Sequence, residues 1–385
     1  MFLKNRTIKR FIYILAILAV LLAAAAGFVR LRYGGGSTDF PNRAGSPEYP
    51  ESRLETVADL KVPPGNIAVS ENGRIFFSYH PEAWPEVRVA ELKNGRPEPY
   101  PSSEFQGAGK QSVFFDTVLS IRIDRQGRLW TLDLARHGIG RPRLLAFDLD
   151  TGQLVHRFDF PDRCAGFGSH LNDFQVSPDG RTIYIADASI IAKSPAIVVY
   201  NTETKQCRRC LENHSSVTAE PFIPVVQGRK MHIFGLFAVR PGVDSIALSP
   251  DGKWLYFAPV TSTKMYRIRT MHLENPALTQ KELGEQVEIF AQKPMSDGLT
   301  MDLAGNIYVT AFADSAIVRM APDGSLQTLI QTPRLRWPDG LGFGPNGWLY
   351  ITCSALHQVI GKSWDADAPF QIYRFKTGTE GLAGH

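Results

Sequence analysis

Three aspartates and an asparagine recur at one position of a repeated phrase, and they carry most of the chemistry this sequence offers. They are Asn172, Asp244, Asp297 and Asp339, each eight residues before a glycine: Gly180, Gly252, Gly305 and Gly347. Two further copies place Gly65 and Leu119 there, ahead of Gly73 and Gly127. The next position reads Asn66, Ser120, Asp173, Ser245, Gly298 and Gly340. Arranged about one axis, these side chains make an oxygen-rich, electronegative ring. Such a ring suits the ammonium group of a small ligand, with Asn172, Asp244, Asp297 and Asp339 as the binding residues. It also suits Ca²⁺ or another divalent cation, with Asn172 and Asp297 as the candidate metal ligands. His170, two residues before Asn172, titrates near neutrality and joins Asp173 as a candidate for proton transfer. A bland reading stands beside each. An Asp opening a strand can accept bonds from nearby backbone N–H groups and fix a turn, and a lone His is more often a satisfied polar group.

The phrase that carries these residues occurs six times: an apolar run, a turn centred on glycine, and a second apolar run rich in aromatic and β-branched residues. The copies begin at Asn66, Ser120, Asn172, Asp244, Asp297 and Asp339, and NDFQVSPDGRTIYIAD and DSIALSPDGKWLYFA show the pattern. Fixed-register hairpin repeats mark a β-propeller, in which the ends of the innermost strands ring a central channel. A second repeated element follows each phrase, as in VRVAELKNGRPEPY and PRLLAFDLDTGQLVHRFDF, with Asn94-Gly95 and Asp323-Gly324 as hairpin turns. The fold expected is therefore all-β: a six-bladed propeller over residues 53–378 with four strands per blade. The last repeat, QIYRFKTG, stops one strand short. RLETVADL (53–60) alternates like the missing strand and is expected to close the ring against residues 370–376. Intervals between turn glycines are 54, 53, 72, 53 and 42, so an insertion falls at about residues 211–240. A lid and a surface cover are equal readings of it. Asp133 and Asp187 follow second strands and either face a channel end or cap a turn. Arg136 and His137 lie in a Gly-rich loop able to lean over a neighbouring blade.

Composition excludes some classes. The formal charge is +4, but Lys4, Arg6, Lys9, Arg10, Arg30 and Arg32 all fall in the first 32 residues, which hold no Asp or Glu. The folded part is nearly neutral, without a nucleic-acid footprint. No GxSxG, HExxH, P-loop or strand–helix GxGxxG is present. Residues 11–29 carry no charge, and four cations precede them. Residues 1–32 thus form a signal peptide or an uncleaved signal-anchor that sends the propeller out of the cytoplasm, to the periplasm or beyond. Residues 33–52 read as a flexible tether and 379–385 as a tail. Membrane contact is expected through the N-terminal segment only, and the propeller is expected to be a monomer with a small-molecule ligand. Four cysteines include Cys207 and Cys210 in a CxxC, with Cys164 and Cys353 apart. Structural disulfide or free thiols, a redox-labile pair, and a metal half-site all remain open.

RLWTLD, VDSIALSPDGKWLYFAPV with KMYRI, SDGLTMDLAGNIYVT and RLRWPDGLGFGPNGWLYIT, in that order and spacing, resemble the bacterial branch of the major royal jelly protein/Yellow family over residues 53–376. The resemblance implies an exported six-bladed propeller with a ligand-sized channel. Some insect members are linked to dopachrome conversion, some bind biogenic amines, and others are storage or structural proteins. A more distant similarity is to gluconolactonase/regucalcin-like propellers. It carries a metal-site Asn onto Asn172 and a metal-site Asp onto Asp297, but offers Gly65 or Asn66 where that family has Glu, and Ser120 where it has Asn. Three functions follow as expectations. The first is binding of a cationic or aromatic ligand, with dopachrome-tautomerase-like isomerisation as its catalytic form. The second is a divalent-metal-dependent, gluconolactonase-like hydrolase, and the third is a non-catalytic scaffold.

Overall fold

The turn glycines determine the geometry of every inner hairpin. Gly73, Gly127, Gly180, Gly252, Gly305 and Gly347 all adopt φ between 70° and 86°, where a side chain would be strained. Each therefore reverses the chain from the innermost strand to the second one. The computed structural model describes residues 2–107, 109, 113–361 and 369–384, with the backbone alone for 2–7. In it, six four-stranded antiparallel sheets make a six-bladed propeller. The innermost strands are Pro64–Val69, Val118–Ile123, Leu171–Val176, Val243–Leu248, Leu299–Met301 and Pro338–Phe343. They touch in sequence around the ring, and apolar side chains of neighbouring blades interlock behind them, as where Trp130 of blade two meets Phe174 and Ile183 of blade three. In blades five and six the inner strands approach so closely that a Cβ at Gly298 would strike the Asp339 carbonyl, and one at Gly340 would lie 2.8 Å from the Asn66 Cα. That crowding accounts for glycine at both places.

Blade six is completed from the other end of the chain. Glu55–Leu60 pairs antiparallel with Phe370–Lys376, from Glu55 opposite Arg374 to Leu60 opposite Phe370. An ion pair of 2.9 Å between Arg374 and Glu55 flanks the ladder. Leu54 and Leu60 are both 3% exposed, and burying each contributes about 1.5–3 kcal/mol. A chain beginning at residue 61 is therefore expected to melt well below one beginning at residue 45, and to self-associate through the bare edge of Phe370–Lys376. Equal melting curves for the two would contradict this account of closure.

Other segments differ in detail from the sequence expectation. Blade four takes its outer strand from Glu288–Gln292, after two short helices, Thr270–Glu274 and Gln280–Glu285, that the repeat did not announce. Residues 33–52, read as a flexible tether, are bonded to the propeller in several places. Ser37 brackets the insertion through Pro221 O (2.9 Å) and Ile223 N (2.7 Å), while Glu48 and Tyr49 donate to Thr328 and Leu329 at 2.9 and 2.8 Å. The tail bonds across the channel end opposite the Asp-bearing mouth. Gly384 O accepts from Ile123 N, Gly384 N donates to Phe343 O, and Glu380 O accepts from Leu303 N. His385 lies outside the described residues. Cys207 is bonded to Cys164, not to Cys210. The physical reason is strand alternation: Cys207 and Cys210 sit three apart in Gln206–Cys210 and so face opposite sides of the sheet. Cys210 and Cys353 are free and buried.

Candidate functional site

Because all six inner strands begin at the same register, their first side chains converge. Leu119, Asn172, Asp244, Asp297 and Asp339 line one cavity at the channel mouth, with Asn66 and Asp173 from the neighbouring position. The cavity has about 860 Å³ of unfilled space, its open mouth included. Its floor is polar and its walls are largely apolar, with Leu134, Val239, Val260, Phe312, Trp337 and Leu356 among them.

The floor has two halves. In the first, the Asp173 carboxylate is fully engaged. Asn66 Nδ2 donates to it at 2.8 Å, Ser120 Oγ at 2.9 Å, and Arg122 Nη2 stands 3.5 Å away. Burial raises the Asp173 pKa, and Arg122 and Ser120 offset part of that rise. Arg122, wholly buried, also donates to Asn66 Oδ1, so the group behaves as one locked network.

The second half is acidic and short of donors. Asn172 Nδ2 donates to Asp244 Oδ1, and the carboxyl groups of Asp244 and Asp297 act directly on each other. Two carboxyl groups so placed favour a proton on one of them, and it is the protonated form of Asp244 that is favoured. Burial lifts Asp244 well above the ordinary carboxylate range, and the charge of Asp297 lifts it further. Burial does the same to Asp339, with Asp297 and then Asp173 repelling its charged form. Asp297 is raised less: burial acts on it too, but Asp244, the indole N–H of Trp337 at 2.6 Å and the charge of Lys293 favour its ionised form. Lys293 lies buried behind this wall, its Nζ donating to Val260 O, Pro294 O and Ser296 Oγ at 2.9–3.2 Å, and burial pulls its pKa down to about 7. Two acceptors in this half, Asn172 Oδ1 and Asp339 Oδ2, are buried without a hydrogen-bond donor.

Above the floor stands a cluster assembled from three blades. Glu82 Oε1 lies 2.9 Å from His137 Nε2, and His137 Nδ1 lies 3.0 Å from His170 Nδ1. The carboxylate holds a proton on His137 Nε2, and which Nδ1 donates across the 3.0 Å contact to His170 depends on the tautomers of the two rings. Burial holds His170 down to about 3 and His80 to about 4, so both rings are neutral at pH 7. Glu82 is pushed up by burial but held down to about 2 overall by its bond to His137 and the neighbouring imidazoles. The loop of Arg136 and His137 thus does lean onto its neighbours. Glu82, His80 and Trp337 were missed from sequence because they sit on loops outside the repeated register, although Trp337 is two residues from Asp339 in RWPDG; His137 was singled out for its loop but not as part of the site.

Asp133 and Asp187 cap turns. Asp133 accepts from the backbone N–H groups of Asp116, Thr117 and Ala135, and Asp187 from those of His170 and Ser189. The insertion is a wall and a strap together. Pro224 and Val239 line the cavity, while Arg229 reaches blade six through His357 O and, at 2.7 Å, Ile360 O. As for a divalent ion, no three His, Cys, Asp or Glu side chains among the described residues are grouped to hold one. The Asn172 amide and the Asp297 carboxyl are turned onto Asp244 and Trp337. Asn172 Oδ1 and Asp339 Oδ2 stay unengaged, so as it stands the floor offers a cation two free oxygens rather than a full ligand set.

Ring, strap and carboxyl floor define a six-bladed propeller whose channel mouth is an acidic, apolar-walled pocket. Residues 116–376 match the family model described as Major royal jelly protein, and the chain belongs to that family. Among its relatives, major royal jelly protein 6 of Apis mellifera is 27% identical over 44% of this chain and 39% of its own. Major royal jelly protein 1 of the same species is 26% identical over 57% and 52%, and protein yellow of Drosophila guanche 24% over 73% and 52%. The chain thus spans about half or less of the length of these relatives. Solved structures of similar fold include a luciferin-regenerating enzyme, with a TM-score of 0.56 at 15% identity over 86% of this chain and 97% of that one. A gluconolactonase from Xanthomonas campestris gives 0.52 at 16% over 84% and 88%. At these identities the likeness is one of fold.

Proposed function

We propose that the channel mouth binds a small organic cation bearing an aromatic or apolar body, an arylalkylamine being the class it fits best. The observation that carries this reading is the donor-poor acidic half of the floor. Asn172 Oδ1 and Asp339 Oδ2 are buried acceptors without donors, beside a carboxyl pair that holds a proton it would release to a cation. An ammonium group supplies three N–H donors and the missing charge, and Trp337, stacked on Phe312 at 4.4 Å, offers an aromatic surface for the rest of the ligand.

A catalytic form of the same reading gives His170 the proton-transfer role. In the tautomer that carries its proton on Nδ1, its Nε2 takes a proton from one ligand atom and returns it to another, an isomerisation that leaves the ligand's formula unchanged. His137 and Glu82 act as positioning residues that hold the His170 ring. Asp173, tied to Arg122, Asn66 and Ser120, helps to hold the floor together. Export from the cytoplasm on residues 1–32 belongs to this proposal, supported by an N-terminal helix whose span Ile8–Tyr33 is long and apolar enough to cross a membrane.

Melting of the protein tests the choice between ligand classes. Tyramine at about 100 times its dissociation constant should add about 2.7 kcal/mol, a rise of roughly 4 °C for a domain of this size. Calcium and EDTA should leave the curve in place. A rise with calcium and none with tyramine would overturn the amine reading in favour of a metal-dependent hydrolase. Silence toward both would leave the scaffold reading.

A further inference from the structure

Among the described residues outside the N-terminal helix, the exposed aromatic side chains are confined to one face. Trp84 (76% exposed) is on the loop after the second strand of blade one, and Phe167 (77%) is on the loop entering blade three. Phe234 (86%) is at the tip of an insertion ribbon, between His232–Ile233 and Phe237–Ala238. Ile139 (67%) and Ile191 stand on the equivalent loops of blades two and three. All surround the channel mouth. Proteins in water seldom group exposed aromatic residues in this way, and such a patch marks a surface that meets something apolar.

The chain itself indicates what that is. The N-terminal helix, Phe2–Tyr33, ends on this same face. Tyr33 stacks on Phe237 at 5.1 Å and donates to Ile191 O at 2.8 Å, Arg32 donates to Ala192 O at 3.3 Å, and Arg240 donates to Gly35 O at 2.6 Å. The apolar window of the helix is not buried against the propeller, so the helix projects from the face rather than lying on it. Phe28 is five residues from Tyr33, a rise of about 8 Å along the axis. A helix so clamped cannot cross a bilayer without bringing the mouth face to the lipid headgroups. Arg30, Arg32, Lys193 and Arg240 gather at the junction, where cations meet phosphate.

We infer that the mouth face seats on the phospholipid bilayer, with Trp84, Phe167 and Phe234 in its interfacial layer, so that the ligand channel opens toward the membrane. This extends membrane contact beyond the N-terminal segment, and it holds whichever ligand the channel takes.

The test uses the full chain in vesicles of phosphatidylcholine and phosphatidylglycerol. Spin labels are placed at Trp84→Cys, Phe167→Cys and Phe234→Cys, and at Met271→Cys and Leu303→Cys as controls near the opposite face. The five sites are exposed, and the free cysteines Cys210 and Cys353 are buried. Mouth-face labels should show a several-fold higher ratio of collisions with lipid-soluble oxygen to collisions with a water-soluble nickel chelate than the control labels. In the unmutated chain, brominated acyl chains should quench a fluorescence component that Trp84→Phe removes. Equal ratios on both faces would mean that the propeller hangs free in water, and would overturn the inference. Mouth-face labels shielded from both reagents would mean a protein occupant, and would overturn it as well.

Discussion

Asp297→Asn is expected to weaken binding of an arylalkylamine by about 30-fold or more while leaving the protein folded. The reason lies in what the substitution keeps and what it removes. Asparagine has nearly the same shape, its oxygen can still accept from the Trp337 indole N–H, and its amide can donate to Asp244. The architecture of the wall therefore survives. What goes is one of the two carboxyl groups that act on each other, and with it the second negative charge available to a bound cation. Removing one partner of a buried charge pair costs about 2–5 kcal/mol of binding, and 1.4 kcal/mol is tenfold. Titration calorimetry reads the change directly. Relief of repulsion between Asp297 and both Asp244 and Asp339 should meanwhile raise the melting temperature of the free protein. A variant with unchanged amine affinity would show that the acidic column is architectural.

The second large effect concerns stability. Cys164 and Cys207 are bonded across 43 positions of sequence, joining the loop after blade two to the outer strand of blade three. Cross-linking a loop of that length restricts the unfolded chain by about 4 kcal/mol in the chain-entropy model. The double variant Cys164→Ala/Cys207→Ala should lose stability of that order in denaturant unfolding. Cys210→Ala should lose much less, through a buried thiol that accepts from Arg208 and donates to Leu273 O. Equal losses for the two would mean that the disulfide adds no constraint of its own.

The contrast between these residues shows what a sequence can reveal of such a fold. The acidic ring was legible because every member holds the same offset from a glycine that must take a positive φ, and a shared offset becomes a shared place once the strands circle an axis. The closing strand was legible for a related reason: alternation in residues 53–60 matched the one strand the last repeat lacked. Glu82, His137 and Trp337 follow no such register. They sit on inter-strand and inter-blade loops, and only the packing of adjacent blades brings blade one's Glu82 to blade two's His137. The disulfide was hidden likewise, since Cys164 meets Cys207 through the packing of adjacent blades. The strap over the mouth was visible as an excess of residues, but its course to His357 and Ile360 depends on a tertiary path with no pattern of its own.

A bound cation is expected to displace a proton held within the Asp244, Asp297 and Asp339 cluster. Burial raises the pKa of these carboxyls, and repulsion from Asp297 raises Asp244 and Asp339 further, so the ionised state that a cation requires becomes easier to form as pH rises, and amine affinity should rise with it. Binding should also release a proton. Calorimetric titration of tyramine, run in buffers of different ionisation enthalpy and repeated with its uncharged hydroxyl analogue, measures both at once. The account predicts proton release, affinity that increases with pH, and little binding of the uncharged analogue. Equal affinity for the two compounds, with no proton released, would contradict it.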